Sequence, residues 1–246
     1  MPNSYFQFKR FRVDQALSGM KVTTDASLFG AWVASEISRC EQKPKRILDI
    51  GTGTGLLALM IAQILRESQI DGIEVNKEAY CEAIVNFQKS PWNSQLTCIH
   101  TSIQDFRADT YDIILCNPPF FKGSPLGKVI NKNEAVHSTL LPAEDLLNSV
   151  SRLLSENGTF FLLYPDHEMN KFITLAEKLE LSTAQLVTVR NKEGASVFRK
   201  MAKFEFQPIK CNSSELIIRK KNRKYTDDFW ALLKEYYLEY NNPSLL

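Results

Sequence analysis

The 246-residue sequence predicts an α/β fold with a mostly parallel sheet that helices cover on both faces. From Arg46 onward, short apolar runs alternate with longer segments of helical pattern. The runs are apolar along most of their length, which is typical of strands buried on both faces of a parallel sheet. The length fits one large domain, or one domain with a small appendage.

The elements follow from these patterns. Strands are predicted at Arg46–Ile50, Ile70–Glu74, Leu96–Thr101, Tyr111–Cys116, Thr159–Tyr164, Ala184–Val189 and Val197–Phe206, with a further short candidate at Glu215–Arg219. Helices are predicted at Leu56–Arg66, Lys77–Gln88, Ala143–Leu154, Met169–Leu179 and Thr226–Tyr240. No crossover helix separates the strands at 184–189 and 197–206, so they are predicted to form an antiparallel hairpin at one edge of the sheet. The aromatic stripe of the last helix favours core packing over base stacking.

Composition excludes several classes of protein. Hydrophobic residues make up 44% and charged residues 24%, which argues against disordered, collagen-like and coiled-coil chains. The first thirteen residues lack the apolar core of a signal peptide, and the apolar stretch Gly55–Leu65 is too short to span a bilayer, so we expect a cytoplasmic protein with no membrane partner. The five cysteines form no CxxC pair, which favours free thiols over disulfides and predicts no metal site.

A glycine loop follows the first predicted strand, with the sequence Asp49-Ile50-Gly51-Thr52-Gly53-Thr54-Gly55. Glycines at alternate positions allow a tight turn and let a ligand lie on the backbone. The spacing excludes a dinucleotide fingerprint, which would need glycine at Leu56, and the loop lacks the lysine of a P-loop. Asp49 directly before the glycines suits a cationic ligand. S-adenosylmethionine fits, because it carries a sulfonium and an ammonium group.

Two further carboxylates end or follow the next strands. Glu74 ends the second strand, where it could accept hydrogen bonds from both hydroxyls of a ribose, and its alternative role is a helix cap. Asp105 follows the third strand and could accept from the adenine amino group, and its alternative role is a turn cap. Open α/β sheets bind ligands at the carboxyl ends of their strands, so the glycine loop, Glu74 and Asp105 predict one cofactor pocket.

The fourth strand ends in Asn117-Pro118-Pro119-Phe120, the most specific segment of the chain. Two prolines make this turn stiff and leave its carbonyls free to accept hydrogen bonds. The side-chain oxygen of Asn117 and the carbonyl of Pro118 could together hold the two hydrogens of a planar amino group. Phe120 offers a face on which the target base could stack. The alternative role of the motif is a rigid turn without chemistry.

These motifs resemble those of the class I S-adenosylmethionine-dependent amino-methyltransferases, and nearly the whole chain is similar to the bacterial tRNA(Val) adenine-N6 methyltransferase family. Further matching segments are Met20-Lys21-Val22-Thr23-Thr24-Asp25-Ala26, Leu28-Phe29-Gly30-Ala31-Trp32, Ser90-Pro91-Trp92, Leu216-Ile217-Ile218-Arg219 and Tyr225-Thr226-Asp227. The resemblance implies a Rossmann-like class I methyltransferase fold with a seven-stranded sheet. It also implies methylation of the adenosine 3′ to the anticodon. Where many members have tyrosine after Asn-Pro-Pro, this chain has Phe120.

The resemblance assigns roles to the predicted residues. It implies that Gly51, Gly53, Gly55, Glu74 and Asp105 hold S-adenosylmethionine, that Asn117, Pro118, Pro119 and Phe120 hold the target amine, and that the flanking stretch Lys21–Asp25 closes over the methionine moiety. Asp49, Asn117, Lys21 and Thr24 are counted among the cofactor residues on this basis. From the residues alone, Lys21 fits a surface cation equally well, and Thr24 with Asp25 fits a helix cap.

The domain organisation predicted is a single methyltransferase domain over residues 1–246. It divides into an N-terminal cofactor-flanking segment (1–44), a catalytic core (45–210) and a short C-terminal strand–helix extension (211–246). Residues 190–224, here called the basic segment, carry eleven Lys or Arg and three acidic residues in a chain of net charge +2. Such a segment predicts contact with RNA phosphates, and a solvated surface is its alternative. We expect a monomer. His137 fits a loop residue without chemistry, and its alternative role is a proton acceptor or an RNA contact.

Other functions stay open at this point. An enzyme with the same motif could instead methylate guanine N2 in rRNA, adenine in DNA or glutamine in protein. The C-terminal extension leaves little room for a DNA-reading module, and a glutamine enzyme has no obvious use for the basic segment. A cofactor-binding RNA partner without activity is a further alternative, which the intact glycine loop and Asn117 disfavour.

Overall fold

The computed structural model describes residues 3–119 and 141–238 of the chain. Within these ranges the strands are β1 (Tyr5–Gln7), β2 (Arg12–Asp14), β3 (Arg46–Ile50), β4 (Gln69–Glu74), β5 (Leu96–His100), β6 (Tyr111–Cys116), β7 (Leu154–Tyr164), β8 (Ser182–Lys192), β9 (Val197–Glu205) and β10 (Asn212–Arg219). The helices are α1 (Thr24–Ser38), α2 (Leu56–Ala62), α3 (Lys77–Lys89), α4 (Ala143–Leu153), α5 (Asp166–Glu177) and α6 (Asp227–Leu233). A short 3₁₀ helix, Asn93–Gln95, precedes β5.

The main sheet has the strand order β10-β8-β9-β7-β6-β3-β4-β5 within the described residues. Strands β3 to β7 pair in parallel, and β9 pairs antiparallel with both β7 and β8. The α/β class, the mostly parallel sheet and the hairpin are therefore confirmed. The number of strands differs from seven, because β10 adds in parallel to β8 and becomes the outer strand. The hairpin consequently lies one strand inside the edge.

Helices pack on both faces of this sheet, as predicted. Alternate strand residues belong to separate apolar clusters: Ile47 lies in the cluster with α1, α2 and α6, and Leu48 in the cluster with α4 and α5. The aromatic side chains near the chain's end belong to the first cluster, where Phe229, Tyr236 and Tyr237 are buried, which confirms core packing. Helix α6 ends at Leu233, earlier than predicted, and Tyr240 lies outside the described residues.

The N-terminal hairpin of β1 and β2 was not predicted. Its buried side chains Phe8 and Val13 join the first apolar cluster. The ring of Phe8 lies 6.0 Å from that of Tyr237, and the Lys9 amide donates to the carbonyl of Tyr236 at 2.8 Å. Segments near the two ends of the chain thus pack together. In the part of the chain that the structure describes, no helix is both long and apolar enough to cross a membrane.

Candidate active site

A cavity of about 270 Å³ opens at the carboxyl ends of β3, β4 and β6. Six of the residues singled out in the sequence line it: Gly51, Gly53, Glu74, Asn117, Pro118 and Pro119. Parallel strands bring their carboxyl ends to one edge of the sheet, which explains how residues from three separate motifs share one cavity. The structure thus places the glycine loop and the Asn-Pro-Pro turn against the same space.

The three glycines of the loop all have positive φ, but their surroundings differ. Gly51 (φ 68°) and Gly53 (φ 58°) line the cavity, and a Cβ added to either would meet nothing within 4 Å. Gly55 (φ 83°) precedes α2, and a Cβ there would lie 2.4 Å from the Phe87 ring. The first two glycines therefore leave backbone open to a ligand, whereas Gly55 lets the loop pack on α3.

Glu74 holds the shape of the glycine loop. Its Oε2 accepts from the Gly53 amide at 2.9 Å, and its Oε1 accepts from the Asn76 amide at 2.8 Å. The residue is 8% exposed and still lines the cavity. The cap of α3 is Asn76, whose side chain accepts from Ala79, so Glu74 itself does not cap this helix. Its carboxylate retains lone pairs that a ligand's hydroxyls can use.

Asp49 lies behind the loop rather than in the cavity wall. Its side chain is fully buried, and its Oδ2 accepts from the Thr52 hydroxyl at 2.6 Å. Burial raises the pKa of Asp49 to about 7; the Thr52 hydroxyl and the Ala58 amide oppose this rise, and the nearby Glu74 carboxylate adds to it. Its Oδ1 is buried without a hydrogen-bond partner of normal geometry. Asp49 therefore supports the glycine loop from behind and does not face the cavity.

The sequence predicts that Asp105, which follows β5, lies in the cofactor pocket. In the structure, other residues of this region line the cavity. Ser102, Ile103 and Gln104 face the cavity. The Asp105 carboxylate is exposed and accepts from the Ser102 hydroxyl at 2.6 Å, as a turn cap would. Val75, also in the wall, is 54% exposed although it is apolar. Val75 and Ile103 give the cavity apolar surface suited to a flat ring, and the only signal for Val75 was its place directly after Glu74.

An N-terminal wall, Ser18 to Met20, closes one side of the cavity and was not predicted. Glu82 on α3 holds this wall, because its carboxylate accepts from the amides of Leu17 at 2.5 Å and Ser18 at 2.7 Å. Glu82 is 5% exposed, and its hydrogen bond with Ser18 is buried, whereas the one with Leu17 is partly buried.

One turn further along α3, Asn86 ties the N-terminal segment to the glycine loop. Its amide nitrogen donates to the carbonyls of Asp14 at 2.9 Å and Thr54 at 2.8 Å, and its oxygen accepts from the Asp14 amide at 2.8 Å. The side chain is 1% exposed. Helix α3 therefore positions the N-terminal segment and the glycine loop relative to each other.

The flanking residues predicted for the cofactor do not line the cavity. The Lys21 ammonium donates to the carbonyls of Gln15 and Ser18, so it stabilises the loop before the wall. Thr24 is the exposed first residue of α1, and the cap of that helix is Thr23. Asp25 accepts from Arg199 at 2.8 Å in a mostly buried ion pair. The structure brings the neighbouring wall to the cavity instead.

The turn after β6 brings Asn117, Pro118 and Pro119 to the cavity. The preceding Cys116 is buried, and burial raises the pKa of its thiol well above the usual value, so it stays neutral. Phe120 and His137 lie outside the described residues, as does most of the loop that follows the turn.

The basic segment divides into paired and unpaired cations. Six of its eleven cations form ion pairs: Arg190 with Glu215, Arg199 with Asp25, Lys200 with Asp166, Lys203 with Glu205, Lys220 with Asp227, and Lys221 with Glu193. The other five have no carboxylate partner among the described residues: Lys192, Lys210, Arg219, Arg223 and Lys224. A majority of the segment's charge is thus already compensated within the chain.

Comparison with known proteins shows the family of the chain. The methyltransferase small domain family matches residues 33–198. A tRNA1(Val) (adenine(37)-N6)-methyltransferase of Flavobacterium psychrophilum is 38% identical over 237 residues, covering 95% of this chain and 99% of the relative. A relative of the same name from Bacteroides fragilis is 37% identical over 246 residues, covering 97% of this chain and 100% of the relative. The chain belongs to this family.

Solved structures with low sequence identity share the fold of this family member. A predicted O-methyltransferase of Agrobacterium tumefaciens superposes with a TM-score of 0.64 at 13% identity, over 85% of this chain and 95% of that one. A ribosomal protein L11 methylase of Lactobacillus delbrueckii gives a TM-score of 0.54 at 16% identity, over 78% and 83%. The Rossmann-like class I methyltransferase fold is therefore confirmed.

Proposed function

We propose that this chain transfers the methyl group of S-adenosylmethionine to N6 of adenosine 37 in tRNA1(Val), the reaction that its relatives' names state. One observation carries the proposal beyond those names. The Asn117-Pro118-Pro119 turn lies in the wall of the same cavity as Gly51, Gly53 and Glu74. An amine held at the turn is therefore next to a ligand held by the glycine loop.

The residues of the cavity fit S-adenosylmethionine. Glu74 offers carboxylate oxygens to the ribose hydroxyls, Val75 and Ile103 offer apolar surface to the adenine, and Gly51 and Gly53 leave room for a ligand on the backbone. Asp49 would hold the loop from behind through its bond to the Thr52 hydroxyl, since its side chain is buried and does not line the cavity. When bound, the cofactor would supply an electrophilic methyl group on a sulfonium. Lys21, Thr24, Gly55 and Asp105 would act through the shape of the cavity, since none of them lines it.

The Asn-Pro-Pro turn would orient the target amine. The adenine amino group is a poor nucleophile, because its lone pair is delocalised into the ring. The side-chain oxygen of Asn117 and the carbonyl of Pro118 would accept from its two hydrogens and favour a pyramidal nitrogen whose lone pair points into the cavity. Those oxygens also stabilise the positive charge that develops on nitrogen, so alignment and electrostatics supply most of the catalysis. The base must leave its stack to reach the turn, and Phe120 would then stack on it.

The chain would meet tRNA as a single domain over residues 1–246, acting as a monomer in the cytoplasm and contacting phosphates through the basic segment. Within this domain, residues 1–44 would flank the cofactor, residues 45–210 would form the catalytic core, and residues 211–246 would form the C-terminal extension. Helix α6 and strand β10 pack on α1 and β8, so the extension completes the domain and leaves little to read duplex DNA. Among the alternatives, the relatives' names favour adenine in tRNA over guanine in rRNA or glutamine in protein.

A direct test uses total RNA from a strain that lacks the gene, incubated with the purified protein and S-adenosylmethionine. Nucleosides are then analysed by mass spectrometry. We expect N6-methyladenosine in the tRNA fraction alone, at adenosine 37 of tRNA1(Val). The Asn117→Ala variant should bind cofactor and tRNA normally and lose methyl transfer by roughly 10²–10³-fold, the scale of one lost transition-state contact.

Each other outcome changes the proposal in a defined way. N2-methylguanosine would move the target to guanine and keep the role of Asn117. Full activity of the Asn117→Ala variant would refute the mechanism. Cofactor binding without any RNA methylation would refute the assignment to RNA.

A further inference from the structure

The unpaired cations of the basic segment are not spread evenly over the sheet. Strands β8 and β10 run parallel to β7, so they end at the same edge of the sheet as the Asn117 turn. Lys192 and Arg219 are register partners at that edge. The β8–β9 turn and the turn after β10 lie side by side there, because Glu193 in the first pairs with Lys221 in the second at 3.5 Å.

Four of the five unpaired cations lie at this edge: Lys192, Arg219, Arg223 and Lys224, here called the carboxyl-end patch. All four are exposed. The fifth, Lys210, is also exposed, but it lies between the end of β9 and the start of β10. It is therefore at the edge where the parallel strands begin, opposite the edge where they end. The cations of the basic segment that lack a carboxylate partner among the described residues are therefore concentrated at the edge that carries the candidate active site.

The turn after β10 holds its cations in a defined arrangement. The amide of Lys220 donates to the carbonyl of Lys224 at 2.8 Å, and the amide of Arg223 donates to the carbonyl of Lys220 at 2.9 Å. The Arg219 guanidinium lies 4.2 Å from the centre of the Tyr225 ring and donates to the Arg223 carbonyl at 2.9 Å. A pre-ordered cation loses less entropy when it binds a phosphate than a freely rotating one does.

Arg223 itself has a positive φ of 69°, one of two non-glycine residues in the described chain with this conformation. Residues other than glycine, asparagine and aspartate are uncommon in this conformation, because their Cβ atom crowds the backbone. The turn therefore carries an exposed cation at a position where glycine would fit the backbone better.

We propose that the carboxyl-end patch binds the RNA phosphates that flank the target nucleotide. This rests on the proposed function in taking RNA as the substrate. With strands about 4.8 Å apart, β8 and β10 lie about 14 and 19 Å from β6, so the phosphates contacted are a few nucleotides from the base at Asn117. The patch offers no free aromatic face, since Arg219 covers Tyr225. It therefore contacts backbone and contributes affinity rather than base recognition.

The test compares tRNA affinity over a range of salt concentrations for the wild type, the triple variant Lys192→Gln/Arg223→Gly/Lys224→Gln, and the control Lys210→Gln. Each phosphate contact contributes roughly 0.7–0.9 to the slope of log K against log salt. We expect the triple variant to lose about 2–3 units of slope and bind tRNA roughly 10–100-fold more weakly. Cofactor affinity should stay unchanged in both variants, and Lys210→Gln should keep the wild-type slope.

Arg223→Gly alone separates charge from folding. Because glycine suits the backbone there, this variant should melt no lower than the wild type and still lose close to one unit of slope. An unchanged slope in the triple variant, or a loss in Lys210→Gln as large as that in Arg223→Gly, would overturn the patch while methylation of tRNA continued. Conversely, patch-dependent tRNA binding without any methylation would refute the proposed function and support the patch.

Discussion

Replacing Glu82 with glutamine tests whether α3 positions the N-terminal wall of the cavity. The Glu82 carboxylate accepts from two backbone amides, of Leu17 in a partly buried contact and of Ser18 in a buried one. Glutamine keeps the length of the side chain but is neutral, and only one of its two terminal atoms is an acceptor. One amide is therefore left with a weaker partner and the other with none. The wall should open more often, while the glycine loop keeps its own contacts with Glu74.

The magnitude follows from these two contacts. Hydrogen bonds to a charged group contribute roughly 1.5–3 kcal/mol each. If glutamine retains about one of the two, the closed wall loses roughly 1.5–3 kcal/mol. At about 1.4 kcal/mol per factor of ten, the opening equilibrium shifts by roughly 10–100-fold. The apparent dissociation constant of the cofactor rises by up to that factor, because only the closed segment completes the cavity.

Two measurements check this expectation. Hydrogen exchange at the Leu17 and Ser18 amides should accelerate by the same factor, and calorimetry should show weaker S-adenosylmethionine binding. Glu78→Gln is the matched control, since Glu78 lies one turn earlier on the same helix and is exposed. If Glu82→Gln left both the exchange rates and the cofactor affinity at the Glu78→Gln values, the wall would not depend on this carboxylate.

Three further predictions concern stability. Gly55→Ala should destabilise the protein by roughly 3 kcal/mol or more, and Gly53→Ala by about 1–2 kcal/mol. Both substitutions strain the backbone, but only the first drives a methyl group into the Phe87 ring. Equal melting temperatures of the two variants would contradict this. The pKa of Asp49 is raised to about 7, so the wild type should lose a few kcal/mol of stability as pH rises from about 4 to about 7, and Asp49→Asn should remove that slope in urea unfolding. Arg199→Gln should cost about 1–3 kcal/mol by leaving a mostly buried carboxylate at the start of α1 unpaired, yet keep the salt slope of tRNA binding; a reduced slope would mean that this arginine also meets phosphate.

The elements that could be predicted are those whose signal is local. Strands β3 and β6 begin and end where the apolar runs do, because each run is bounded by polar or turn residues. The hairpin of β1 and β2 could not be predicted, since its strands are three residues long and mostly exposed or half-buried, and Phe6 and Phe8 pack against Tyr237 from the other end of the chain. Strand β10 extends to Asn212, beyond the apolar part of its sequence, because pairing with β8 supports its polar half.

The same distinction holds for the candidate site. Gly51, Glu74 and Asn117 could be predicted, because each follows or ends a strand and the sheet then brings them together. The wall at Ser18 to Met20 could not, since its position depends on Glu82, more than sixty residues away in the sequence. The family resemblance alone links Lys21 to the cofactor, and its contacts with the carbonyls of Gln15 and Ser18 become visible only in the folded loop.

The contact between the two ends of the described chain affects the order in which the protein can fold during synthesis. Phe6 and Phe8 pack against Tyr237, and Lys9 bonds to Tyr236, so a segment that is synthesised early completes its packing only after one that is synthesised more than two hundred residues later. Until then Phe6 and Phe8 lack the Tyr237 ring that packs against them, and a nascent chain that stops before α6 cannot supply it. Ribosome-bound intermediates of this protein should therefore recruit chaperones through their N-terminal segment, and prematurely terminated chains should be degraded rapidly.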